Sequence, residues 1–192
     1  MPTSRNQWVS GRELAAFGIG ALVMLFAARL GSPVAGRALG SMRAMTGTDP
    51  FDALAQDHRK VLALIDTMES TDPSARTRRM AMLFQLKRML AAHALAEEDI
   101  IYPMLRDDAH RNEMASRLYR EHADIKIRLF ELEHHSPDDP AWTNELRGLR
   151  ALVAEHAKQE EESEFPRLRQ ALGQDRTSRL LGEVQREKAL IV

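Results

Sequence analysis

After residue 48 the apolar positions recur every three or four residues, which is the period of a helix with one buried face. The first stripe is Phe51, Leu54, His58, Val61, Ile65 and Met68. The second is Leu83, Leu86, Leu90, His93, Glu97, Ile100 and Met104. The third is Ala115, Leu118, His122, Ile125, Leu129 and Leu132, and the fourth is Leu146, Leu149, Val153, His156, Glu160 and Ser163. Almost nothing reads as strand. The stripes predict an all-α chain with helices over 50–69, 74–105, 111–134 and 140–171. A shorter fifth helix is predicted after Gly173, over 175–189. Asp49-Pro50, Asp72-Pro73 and Asp139-Pro140 are start signals, because Asp caps free N–H groups and Pro gives up a donor that has no partner there. The connections are short, so neighbouring helices are expected to run antiparallel.

Six His and Glu residues interrupt these apolar seams, and they form a repeat. His93-x3-Glu97-Glu98-x3-Tyr102-Pro103 recurs as His156-x3-Glu160-Glu161-x3-Phe165-Pro166. An isolated histidine precedes each copy, His58 and His122, and each follows an acid, Asp57 and Glu121. The repeat length is about 64 residues. A lone seam histidine is commonly a core residue with a hydrogen-bonded partner. Four at repeated spacing, with two seam carboxylates and no Lys or Arg on the seams, call for another account. A carboxylate in an apolar seam costs several kcal/mol unless paired or coordinated. A metal ion would neutralise Glu97 and Glu160 and use the histidine nitrogens. Residues four apart on a helix are neighbours, so His93 with Glu97, and His156 with Glu160, can each reach one centre. Each Glu has two oxygens and can bridge. Two bridging Glu and two His per ion make a symmetric dinuclear site. Imidazole and carboxylate without sulfur suit iron, manganese or zinc. A metal that serves only as a folding staple is the plainer alternative.

The segments HALAEEDIIYP and EHAKQEEESEFP, opened by DHRKVL and EHADIK, resemble the hemerythrin-like family of HHE cation-binding domains, over about residues 50–171. The resemblance implies an up-down-up-down four-helix bundle with a non-haem di-iron centre. It implies that Glu97 and Glu160 bridge the two Fe ions together with an oxo or hydroxo group. His58 and His93 would serve one iron, and His122 and His156 the other. The oxygen-carrying members have a fifth histidine four residues after the third-helix ligand, where this chain has Lys126. One iron is then a ligand short or takes a substitute. Tyr119, Glu98 and Glu161 are the candidates, and their plainer readings, a core tyrosine and solvated carboxylates, are preferred. The departure puts stable oxygen carriage in doubt and favours peroxide or nitric oxide chemistry, or sensing.

The family implies a protein that binds or senses dioxygen, nitric oxide, peroxide or iron in a stress or redox response. The alternatives are a di-iron enzyme acting on peroxide or nitric oxide, and a regulatory protein whose metal sets its conformation. A protein partner or a second copy would meet the fifth helix or the apolar N-terminus. His110, His134 and His135 read as surface residues, Glu162 and Glu164 as part of a mostly solvated acidic run, and Trp142 and the methionines as core. Pro103 and Pro166 are expected to kink or end their helices.

Composition adds exclusions. The net charge is −1, without the basic excess that nucleic acid binding calls for. Cysteine is absent, which excludes disulfides, thiolate metal sites and a cysteine nucleophile. Leu14 to Ala28 is free of charge over fifteen residues, short of the roughly 20 that a span needs. If Arg29 snorkels, the stretch extends through residues 14–35 as a membrane-associated anchor. The excess of Arg29, Arg37 and Arg43 over Arg5 and Arg12 then places the bundle on the cytoplasmic side. A signal peptide or a packed helix is the alternative, with a cytoplasmic or periplasmic bundle. The expected organisation is a hydrophobic segment and linker over 1–47, a four-helix bundle over 48–172 and a C-terminal helix over 173–192.

Overall fold

The computed structural model describes residues 49–191. The predicted N-terminal hydrophobic helix and its linker lie outside the described residues. Among the described residues there is no strand, and no helix is long and apolar enough to cross a membrane. The elements are α1 (Pro50–Ser70), α2 (Arg76–Ala96), a π turn (Glu97–Ile101), α3 (Tyr102–Asp107), α4 (Asn112–His134), α5 (Pro140–Gln159), a second π turn (Glu160–Glu164) and α6 (Phe165–Lys188).

Two of the three Asp-Pro pairs start helices. Asp49 accepts from the Phe51 and Asp52 amides at 2.8 and 3.4 Å, and Asp139 accepts from Ala141 at 2.8 Å. Asp72 does not cap. Its carboxylate is taken by the amide and hydroxyl of Ser74, at 2.8 and 2.7 Å, so residues 72–75 form a turn and α2 begins at Arg76. Buried Arg79 holds this end together. It donates to the Thr71 carbonyl from Nε and Nη2 and to the Pro137 carbonyl from Nη1, and lies 4.8 Å over the Trp142 ring. Trp142 is core, as expected, whereas Met80 is 43% exposed.

Cross-helix pairs set the directions. Asp66–Arg150, His58–Glu161 and Asp49–Arg169 run in opposite senses along α1 and the α5–α6 rod. Arg76–Asp138, Lys87–Glu133 and Glu98–Lys126 do so for α2 and α4. Arg128–Glu145 and Glu121–His156 do so for α4 and α5. The helices therefore pack antiparallel in the cyclic order α1, α2, α4, α5.

Every predicted seam residue of α1 and α4 is buried. On the other two helices the seam holds as far as Glu97 and Glu160 and then slips by one residue. Ile101 and Leu105 are buried instead of Ile100 and Met104, and Glu164 instead of Ser163. The π turns are the cause. The Tyr102 amide bonds the Glu97 carbonyl and the Phe165 amide bonds the Glu160 carbonyl, five residues back, so each turn absorbs one extra residue. The next residue in each case is Pro, which lacks a donor and crowds the carbonyl four back. Pro103 and Pro166 therefore follow a widened turn, and the helix resumes beyond them rather than ending.

Gly173 has φ 70°, a backbone conformation that costs glycine little, and it breaks α6 at the predicted place. The segment beyond it buries Thr177, Leu180, Leu181 and Val184. The apolar interior forms two clusters. One contains Ile65, Leu86, Leu129 and Leu149, and the other Leu54, Ile101, Leu118 and Leu168. Along each long helix the seam histidine falls where one cluster gives way to the other.

Candidate metal centre

His58, His93, Glu97, His122, His156 and Glu160 come from four helices and form one buried layer between the two apolar clusters. The histidines are 2–3% exposed and both glutamates 0%. Ligand-type atoms of His58, His93, Glu97, His156 and Glu160 lie within 4.8 Å of one another. His122 adjoins this group, with Nε2 3.1 Å from His156 Nε2 and 3.4 Å from Glu97 Oε2. His93 Nε2 is 3.0 Å from Glu97 Oε2, and the Nε2 atoms of His58 and His156 are each 3.4 Å from Glu160 Oε2. The structure thus brings all six predicted residues together.

The outer nitrogens explain the orientation of the rings. Asp57 Oδ2 stands 3.9 Å from His93 Nδ1, Glu98 Oε1 2.9 Å from His122 Nδ1, Glu121 Oε2 3.0 Å from His156 Nδ1, and Glu161 Oε1 2.8 Å from His58 Nδ1. Each helix, or the π turn that continues it, supplies the acid for the histidine of the next, in the order α1, α2, α4, α5 and back to α1. A carboxylate hydrogen-bonded to Nδ1, as at His58, His122 and His156, favours the tautomer with its proton there and leaves Nε2 free to accept, whereas His93 Nδ1 makes no hydrogen bond and has Asp57 only as a nearby charge. Glu98 and Glu161 are therefore not merely solvated carboxylates: each is partly exposed and bonds a buried histidine. The acid-His pairs marked half of this circuit in the sequence; the second Glu of each Glu-Glu pair was the missed signal for the other half.

Two further expectations are corrected. Tyr119 is 38% exposed and donates to the Glu98 carbonyl at 2.6 Å, so it is neither core nor part of the layer. Glu164 is fully buried and receives a fork from Arg111, at 3.0 and 3.1 Å, because the π turn rotates it inward. Tyr102 is the residue that sequence reasoning passed over. It is fully buried, and its hydroxyl lies 2.9 Å from both His122 Nε2 and Glu160 Oε1 and 3.4 Å from Glu97 Oε2. A straight helix points residue i+5 away from residue i; the π turn stacks Tyr102 over Glu97 instead. Lys126 is 37% exposed and bonds Glu98 Oε1 at 2.6 Å, outside the layer. His134 is exposed and donates to the Phe130 carbonyl at 2.7 Å.

The donor set fits a cation. His58 Nε2, His93 Nε2, Glu97 Oε1 and Glu160 Oε2 are buried and make no well-aligned hydrogen bond, although His93 Nε2 lies close to Glu97 Oε2 and His58 Nε2 to Glu160 Oε2. Each such group costs about 1–3 kcal/mol, and more when charged. All four belong to residues of the cluster whose ligand atoms lie within 4.8 Å of one another. Without a metal, protons carry part of this role. Burial lowers the affinity of His93 for its proton, but Glu97, Asp57 and Glu160 outweigh it and raise the pKa to about 10. His122 rises to about 9, with burial again overcome, here by Glu97, Glu98 and Glu160. Burial opposes ionisation of Glu97, yet His93 and His122 hold it well below the usual carboxylate range.

The hemerythrin family, described as the hemerythrin HHE cation binding domain, matches residues 49–168, and the chain belongs to it. The chain is also similar to a DNA nickase from Nostoc sp. (strain PCC 7120), at 30% identity over 141 residues, covering 73% of this chain and 39% of the relative. It thus spans about two-fifths of that relative's length. No solved structure matches.

The raised histidines give a pH test on metal-stripped protein. A group whose folded pKa is raised stabilises fully below its unfolded value, 6.5, and loses that contribution as pH rises through the folded value. Stability in urea is expected to fall from about pH 7 to about pH 10 as His93 and His122 lose their protons. A flat profile across that window contradicts the layer's electrostatics.

Proposed function

We propose that His58, His93, Glu97, His122, His156 and Glu160 hold a pair of iron ions in an up-down-up-down four-helix bundle. Glu97 and Glu160 are shared between the ions, His58 and His93 serve one, and His122 and His156 the other. The bound pair serves to bind or sense a small ligand, such as dioxygen, nitric oxide or peroxide, in a stress or redox response. The observation that carries this reading is the buried cluster of His58, His93, Glu97, His156 and Glu160, whose ligand atoms lie within 4.8 Å of one another and which includes four nitrogens and oxygens without a hydrogen-bond partner. A mixed imidazole and carboxylate set suits iron, with manganese or zinc as the other occupants. Iron so held supplies one-electron chemistry and affinity for small ligands. The chain's own part is to orient the Nε2 atoms through the four outer acids and to exclude water with the apolar clusters.

Binding is favoured over turnover because the nearby carboxylates are committed. Asp57, Glu98, Glu121 and Glu161 each face a histidine, and three of them also pair with cations, Lys188, Lys126 and Arg117. The Nostoc relative is a DNA nickase, but the matched share of it is 39% and this chain carries a net charge of −1.

Full-length protein purified anaerobically is expected to carry about two irons per chain and to gain a charge-transfer band on exposure to oxygen. Glu97→Ala is expected to lose dinuclear binding. A folded wild type that takes no metal, or a Glu97→Ala variant that keeps both ions, overturns the proposal. Glu161→Gln leaves the six residues in place and removes the charge behind His58. It is expected to weaken metal binding about 10- to 100-fold. Unchanged affinity would show that this carboxylate does not orient the ligand.

A further inference from the structure

The two halves of the layer differ at one atom. The repeat equates Tyr102 with Phe165, and each ring follows a π turn and lies beside a histidine. The Phe165 ring stacks on His58 with centroids 6.3 Å apart, and the Tyr102 ring lies 5.2 Å from His122. Only Tyr102 brings an oxygen, and it brings it into the half that holds His122 and His156.

That oxygen has more neighbours than one hydroxyl proton can serve. The proton can go to one of Glu160 Oε1, Glu97 Oε2 and His122 Nε2. A histidine that ligates a metal is neutral, and with the His122 Nδ1 proton directed to Glu98 its Nε2 would in that state also be a lone pair. At least two acceptor-to-oxygen contacts are then left without a hydrogen between them. The His122 and His156 Nε2 atoms, 3.1 Å apart, are in the same position. These separations of 2.9–3.4 Å match adjacent donors on one first-row ion, which stand about 3 Å apart when each is about 2.1 Å from the metal.

Resting on the dinuclear reading above, we propose that the Tyr102 phenolate oxygen is a ligand to the ion of the His122–His156 half. The metal–oxygen bond forms as the phenol O–H bond breaks, and the proton leaves to solvent; no electron is transferred. The two metal positions are then unequal. One has two imidazoles and the shared carboxylates, and the other has a phenolate in addition. A hard, anionic oxygen donor favours the oxidised ion at that position and leaves the His58–His93 position the more open of the two.

The test is full-length protein loaded with ferric iron, read by iron content, visible absorption and resonance Raman excited in the visible band. Wild type is expected to show a phenolate-to-iron charge-transfer band with phenolate ring modes. Tyr102→Phe should lose both and keep its helix content, since Phe already fills the equivalent place at 165. Tyr119→Phe should leave both unchanged, and Phe165→Tyr should add intensity, up to about twofold. Iron-loaded wild type without phenolate modes, a Tyr102→Phe variant that retains them, or their loss in Tyr119→Phe overturns the assignment and leaves the dinuclear site standing. Failure of wild type to bind iron overturns both. If Tyr102→Phe does not fold, the wild-type modes and their gain in Phe165→Tyr decide the question.

Discussion

Two carboxylates buried with histidines, and with no Lys or Arg, as their partners set the terms for this fold. Glu97 and Glu160 are fully buried between two apolar clusters, where an isolated charge costs several kcal/mol. Charge alternates outward from them. Four imidazoles surround the carboxylates, four acids stand behind the imidazoles, and Lys188, Lys126 and Arg117 stand behind three of those acids. Four of the inner nitrogens and oxygens still lack hydrogen-bond partners, a requirement that a bound cation would meet. The arrangement also links distant parts of the chain. Lys188, near the end of α6, reaches Asp57 and through it His93.

The π turns are the local device that makes the layer possible. Each widens a helix by one residue directly after its inward glutamate. The first Glu of each pair then faces the interior while the second reaches the histidine of a neighbouring helix. The aromatic that follows is rotated inward, and on one side it carries a hydroxyl to the centre of the layer. Proline after the aromatic lacks the donor that would otherwise favour the narrower turn.

Helix period, seam and the six inward residues were legible in the sequence because each rests on spacing along one helix. His58 and His122 sit on unbroken stripes, and both stripes are buried throughout. What spacing did not reveal was any property that depends on a change of period. Ile101, Leu105 and Glu164 are buried because the turn before them has five residues, and an α-helical template places Ile100, Met104 and Ser163 there instead. Tyr102 was hidden for the same reason. Asp72 was misread because a competing side chain, Ser74, takes the carboxylate that would have capped the helix. The roles of Glu98 and Glu161 are contacts between helices, which no single-helix pattern contains.

The most direct test is anomalous diffraction at the iron edge, on crystals of the full-length protein grown with ferrous iron under anaerobic conditions. The account predicts two peaks within the buried layer, one beside the Nε2 atoms of His58 and His93 and one beside those of His122 and His156, with Glu97 and Glu160 shared between them. A layer without a peak, its histidines still facing one another at the distances described here, would contradict it.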